Sequence, residues 1–329
     1  MKTWRGIAIV VFVVLSIGLF GSLFSEMTFA AEKDFPRKEI TVICSFAPGG
    51  SRDILARGVA KFMNKYLGAQ TVILNMPGAG GSRGAIALYN AAPDGYTIGL
   101  GTATEILSQI VEKQEFDTRK FSYIGRVQSS PTFCYVKSDS PFKSIKDLKG
   151  FGKSIRLSAL GVTQSSTVPV IILAKRENFP LSIIAGFPSA PPALLSVIRG
   201  EVEMASLPLS PALPFLKSGQ LRPILAIDRQ RYPDFKDIPA VGEIGHADLG
   251  NFALDYWYVA PPNVPKARIQ VLEEALMKTV KDPEFIQWAK GAGVDPSWLN
   301  AEESAKSALN VFKLLEPFKG DIEKYMEKK

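Results

Sequence analysis

Twice near its start the chain passes from a short apolar run, through Gly-Gly-Ser-Arg, into a helical repeat: at residues 49–52 and again at 80–83. That pattern admits few folds. A buried strand must stop at a tight turn and a helix must begin at once, and glycine lets the backbone turn sharply and approach a ligand closely. Residues 40–46 are the first apolar run, stopped by Pro48-Gly49-Gly50; Leu55, Val59, Phe62 and Tyr66 then recur at helical spacing until Gly68. Residues 71–74 form a second strand, 84–92 a second helix, Pro93-Asp94-Gly95 a turn, and 96–100 a third strand. Such alternation specifies an α/β fold with a mainly parallel sheet covered on both faces. Ligands of such sheets bind beyond the C-terminal strand ends. Both glycine loops lie at that edge, as does Gly101-Thr102-Ala103-Thr104. A helix starting there adds free amides and the positive end of its dipole, so the two loops are anion cradles able to converge on one group.

Residues 1–30 have the layout of a secretory signal. Lys2 and Arg5 precede an apolar stretch over 7–24, and Thr28-Phe29-Ala30 offers small residues for cleavage before Ala31. An uncleaved anchor helix is the alternative, because that stretch is long for a signal. Cleavage would remove two basic residues and Glu26, taking the net charge from +7 to +6. This surplus steers small anions, and without a basic stripe it gives no ground for nucleic-acid binding. The expected place is the periplasm. About 300 mature residues exceed one comfortable core and imply two domains. Cys44 and Cys134 both fall in apolar strand patterns; two buried free thiols are expected, with a disulfide as the alternative.

Further along, residues 121–127 and 133–137 are strands, 155–160 is another, and the polar loop Gly161 to Thr167 leads into a helix reaching about Glu177. Catalysis finds no support. His246 is the only histidine, no serine stands in a Gly-x-Ser-x-Gly elbow, and neither glycine loop ends in Gly-Lys-Ser/Thr. No catalytic residue, metal ligand or cofactor is assigned, and an enzyme is a remote option.

Three ordered stretches now carry a resemblance: Phe46-Ala47-Pro48-Gly49-Gly50-Ser51-Arg52-Asp53, then Asn75-Met76-Pro77-Gly78-Ala79-Gly80-Gly81, then Ala92-Pro93-Asp94-Gly95-Tyr96-Thr97. They resemble signatures of the extracytoplasmic solute receptors of tripartite tricarboxylate transporters, the Bug-type periplasmic binding proteins. The likeness runs from about Phe35 to Pro296. It implies a two-lobed periplasmic-binding-protein fold, type II-like, with an organic acid held between two α/β domains joined by hinge strands. It also implies delivery to one large and one small membrane subunit. The expected boundaries are 1–30 for the signal, 32–134 with 256–329 for lobe one, and 135–255 for lobe two. A monomer is expected.

In the family the two glycine loops grip a ligand carboxylate largely through backbone amides, which places Phe46, Ala47, Pro48, Gly49, Gly50 and Ser51, with Gly78, Ala79, Gly80 and Gly81, at the ligand. Arg52 and Arg83 are as apt to be solvated as to meet a carboxylate, and Asp53 is equally a helix cap or a contact. Thr102 joins the set from the third strand end. Thr163, Ser165 and Ser166 either donate hydroxyls or cap the next helix. Ser189 would read the distal part of the ligand. Gly161 to Thr167 lacks the family's following histidine, and Leu207 and Pro208 stand where relatives place an acidic or amide residue. With so few charges in lobe two, the distal end of the ligand is expected to be less polar than citrate. A sensor docking on a membrane signalling kinase is the alternative function.

Overall fold

The computed structural model describes residues 35–252 and 254–326; the signal-like segment lies outside them. The first lobe opens as the sequence pattern predicts. Strand β1 (Ile40–Cys44) leads into helix α1 (Ser51–Leu67), β2 (Thr71–Asn75) into α2 (Ser82–Tyr89), and β3 (Thr97–Gly101) into α3 (Ala103–Val111). β1 pairs in parallel with both β2 and β3, so all three loops leave one edge of the sheet. Helix α1 buries Leu55, Val59, Phe62 and Met63 against that sheet. Gly68, at φ 70°, stops the helix by turning its amide back to the Asn64 carbonyl.

β4 (Ser122–Ser130) stays in this sheet, whereas β5 (Thr132–Lys137) belongs to a second one. The chain changes sheets at Pro131, a residue with no amide to give either ladder. The boundary drawn from sequence at residue 134 therefore falls inside β5. The second lobe continues with α4 (Ile145–Gly150), β6 (Ile155–Ser158), α5 (Val168–Glu177), β7 (Leu181–Ile184), α6 (Ala190–Ile198), β8 (Met204–Pro208), α7 (Leu209–Lys217) and β9 (Leu221–Ile227). Its strand order is β7-β6-β8-β5-β9. β6 runs parallel to β7 and β8, so this lobe also gathers its strand-end loops on one edge.

β10 (Leu254–Ala260) carries the chain back and inserts antiparallel between β3 and β4. Helices α8 (Lys266–Lys281) and α9 (Pro283–Ala292), strand β11 (Pro296–Leu299), and helices α10 (Ala301–Leu315) and α11 (Lys319–Met326) follow. The first sheet is thus ordered β11-β4-β10-β3-β1-β2. Its parallel half is the one foreseen; β10 makes the sheet mixed.

The cysteines sit in different sheets, Cys44 in β1 and Cys134 in β5, both free and buried. Burial raises both thiols, that of Cys134 to about 12, as expected of small hydrophobes and not of reactive sulfur.

Candidate functional site

The strand-end edges of the two lobes face each other and close on a small cavity of about 40 Å³. From lobe one come Phe46, Gly50, Ser51 and Arg52 of the first glycine loop; from lobe two come Ser165, Ser166 and Ser189. Those seven are the sequence-predicted site residues that the structure brings together around one cavity. Thr104 and Gln164 also line it, and so do Leu160, Leu207, Pro208, Leu254 and Tyr256. Leu207 and Pro208 stood out in the sequence only as departures from a family pattern.

Two helices begin at this cavity without side-chain caps. Gly50 is the N-cap of α1 and Ser189 the N-cap of α6. A Cβ added to Gly50 would lie 3.9 Å from the Ser189 Cβ, so the two N-termini oppose each other across the gap. Helix α1 brings its free amides and α6 those of Ser189 and Ala190, its next two residues being Pro191 and Pro192; with the positive ends of both dipoles this favours an anion. The Tyr256 hydroxyl, from the returning strand β10, meets the Ser51 hydroxyl at 2.6 Å. Burial pushes the Tyr256 phenol up to about 12, so it stays a neutral hydrogen-bonding group at any ordinary pH.

Arg52 is the only charged side chain lining the cavity among the described residues, and it is not free. Its Nη1 donates to Glu105 Oε1 and its Nη2 to the Thr102 hydroxyl at 2.6 Å, while the guanidinium lies 4.5 Å over the Phe46 ring. Arg52 and Glu105 side chains are each 5% exposed. Glu105 is occupied on both oxygens, because Oε2 accepts the Thr102 amide at 2.8 Å in a capping box at the start of α3. Drawing Arg52 onto a ligand would strand a buried carboxylate, at a cost of about 3–5 kcal/mol. The pair instead ties the loop after β1 to the loop after β3 and fixes Phe46 between them.

Asp53 is not the N-cap of α1, which is Gly50, and it does not line the cavity. It is buried behind the first loop, where it accepts the Gly49 amide at 3.0 Å, Arg57 Nε at 3.0 Å and Asn75 Nδ2 at 3.0 Å. Burial works to raise its carboxyl, yet the bonds from Arg57, Gly49 and Asn75 prevail and hold it below the ordinary carboxylate value. Ala47, Pro48 and Gly49 form the outer bend of the loop, with Pro48 and Gly49 exposed. Thr102 is spent on the α3 cap and on Arg52. The Thr163 hydroxyl meets Ser108 at 3.4 Å, off the cavity wall.

The second glycine loop lines a neighbouring space of about 350 Å³, bounded by Pro77, Gly78, Ala79, Gly80 and Gly81 on one side and by Gly186, Phe187 and Pro188 on the other. Phe46 and Leu160 border both spaces. A Cβ on Gly81 would come within 3.0 Å of the Phe46 ring, and Gly81 has φ 107°, so only glycine fits there. Arg83 is exposed, its chain packed beside Gly78. Bonds that hold the lobes together at this rim include Gln164 Nε2 to the Gly80 carbonyl at 3.1 Å, the Ser165 amide to the Thr104 hydroxyl at 3.3 Å, and that hydroxyl to Gln164 Oε1 at 3.3 Å.

Two α/β lobes, joined by chain crossings and closed over a polar interlobe cavity, define a two-lobed periplasmic-binding-protein fold, the architecture of a solute-binding receptor. Residues 55–315 match the family described as tripartite tricarboxylate transporter family receptor, and the chain belongs to that family. A UPF0065 protein of Bordetella pertussis is 27% identical over 271 residues, spanning 80% of this chain and 82% of its own. A solved periplasmic transporter is 26% identical with a TM-score of 0.81, over 90% of this chain and 99% of that one. An R. palustris protein with adipate shares the fold at a TM-score of 0.80 and 18% identity, over 88% and 98% of the two chains.

Proposed function

We propose that this receptor captures a small organic acid, a mono- or dicarboxylate, between its lobes. It delivers the acid in the periplasm to the large and small membrane subunits of a tripartite tricarboxylate-type transporter, acting as a monomer. The observation that carries this reading is the pair of uncapped helix N-termini, at Gly50 and Ser189, opposed across one cavity. A carboxylate there meets amides and the Ser51, Ser165, Ser166 and Ser189 hydroxyls without needing a cation. Leu160, Leu207 and Leu254 make part of the wall apolar. With the carboxylate in the inner cavity, the rest of an aromatic or medium-chain acid would lie in the neighbouring space of about 350 Å³ that Phe46 and Leu160 also border, a fit that favours such acids over citrate. Closing the lobes on the acid gives the membrane subunits a liganded shape to distinguish from the open one.

Thermal unfolding across a carboxylate panel tests the binding step. Medium-chain and aromatic acids should raise Tm, and a response to citrate alone would overturn the reading. Delivery is tested by uptake of the bound acid in cells carrying the membrane subunits with and without this chain.

A further inference from the structure

Glu105 is a buried carboxylate beside the cavity that the proposed binding step leaves without a task. Its Oε1 takes the Arg52 Nη1 and lies 3.6 Å from where a Cβ on Gly81 would sit, and its Oε2 takes the Thr102 amide. Arg52 in turn is the only charged lining residue among those described. The electrical character of the cavity therefore turns on whether Arg52 has a partner. With Glu105 present, the side chains there sum to zero, and positive potential comes only from the two helix ends, at most roughly half a charge each, the α6 end having just the Ser189 and Ala190 amides before Pro191 and Pro192. That matches one carboxylate. A second anionic group in the same cavity would face Leu160, Leu207 and Leu254 with no counter-charge, and desolvating it there is costly.

We propose that Glu105 is a specificity-determining residue: by engaging Arg52 it restricts the inner cavity to a single carboxylate, so that the receptor prefers monoanions over dianions of equal chain length. The proposal rests on the organic-acid reading above and adds to it a charge rule and the residue that sets it. Glu105 acts through Arg52 and is a positioning residue, since it holds the guanidinium over Phe46 and away from the ligand.

The test is calorimetric titration of the full mature chain with two matched short pairs, propionate with malonate and butyrate with succinate, whose two ends stay close to the inner cavity. The wild type should bind the monoanion of each pair at least about ten-fold more tightly. Glu105→Gln frees Arg52 and should shift the ratio toward the dianion by about ten-fold or more, a change that a merely structural role for Glu105 would not produce. Arg52→Met/Glu105→Leu removes both charges in one step; buried ion pairs often tolerate such replacement, and the ratio should return to favour the monoanion. Should Glu105→Gln fail to fold, Glu105→Ala, which also leaves Arg52 without its carboxylate partner, is read by the same ratio. Equal or tighter dianion binding by the wild type overturns the proposal, as does a Glu105→Gln ratio that does not move. A hundred-fold loss of monoanion in the double variant also overturns it, because Arg52 itself would then hold the carboxylate. If the wild type binds no acid in this or the wider panel, the organic-acid reading fails first and takes the charge rule with it.

Discussion

The two Gly-Gly-Ser-Arg copies occupy the same helical positions and meet opposite fates. In each, glycine is the N-cap, serine the first helical residue and arginine the second: Gly50, Ser51 and Arg52 in α1, Gly81, Ser82 and Arg83 in α2. Yet Arg52 is buried and paired while Arg83 is exposed. The cause is strand order. β1 lies between β2 and β3, so the loop after it has a neighbour on either side, and the β3 side supplies Thr102 and Glu105. β2 is the edge of the sheet, and nothing stands beyond it to cover Arg83. Identical local sequence thus yields a charge-bearing cavity wall in one place and a solvated side chain in the other.

The comparison can be broken most directly at the arginines. Arg52→Ala should destabilise by about 3–5 kcal/mol, because it leaves the buried Glu105 carboxylate unpaired, whereas Arg83→Ala should stay within about 0.5 kcal/mol of wild type. Urea unfolding of the two variants checks this, and similar losses would show that burial does not separate them. The next contrast lies in the glycines. Gly81→Ala combines a φ of 107° with a 3.0 Å approach to Phe46, and should cost about 2–4 kcal/mol. Gly49→Ala has a φ of 83° and open space, so only the backbone strain of about 1–2 kcal/mol is expected; chemical unfolding midpoints measure both.

A smaller effect concerns Asp53, which holds the first loop and has no counterpart at Gly84 in the second. Its folded carboxyl titrates below the ordinary value. It therefore adds stability above pH of about 4, and that contribution is lost as pH falls through the lowered folded value. Asp53→Asn should flatten the acid limb of the stability–pH curve below pH of about 4 while costing about 1–2 kcal/mol at neutral pH. An unchanged acid limb would assign that dependence to other carboxylates, such as Asp117 and Asp282, both held at about 2 by their partners. The smallest change expected is Tyr256→Phe, which removes the bond to Ser51 at about 1 kcal/mol; thermal unfolding with and without a bound acid would show whether that hydroxyl also serves the ligand.

Much of the first lobe was legible in the chain because its signals are local. Apolar runs, glycine stops and helical spacing name β1, α1, β2 and α2 without reference to anything distant. The second-lobe wall was not. Leu160, Leu207 and Leu254 look like any core leucine until two sheets are brought face to face, and Tyr256 belongs to a wholly buried strand pattern whose register alone turns one hydroxyl toward Ser51. Glu105 carried a faint signal, since Thr102-x-x-Glu105 is a capping box, but nothing in that motif announces an arginine from fifty residues earlier.

By itself, then, the sequence determined two strand–turn–helix units, each with Gly-Gly-Ser-Arg between strand and helix, because turns and strand ends are decided by neighbouring residues; that each helix starts at the serine, with glycine as its N-cap, was shown by the structure. Which of the two arginines is buried, and which loop faces Ser189, were decided only by the tertiary structure. Burial and pairing depend on what the next strand and the opposite lobe place alongside, and here strand order put Glu105 beside Arg52 and left Arg83 in water.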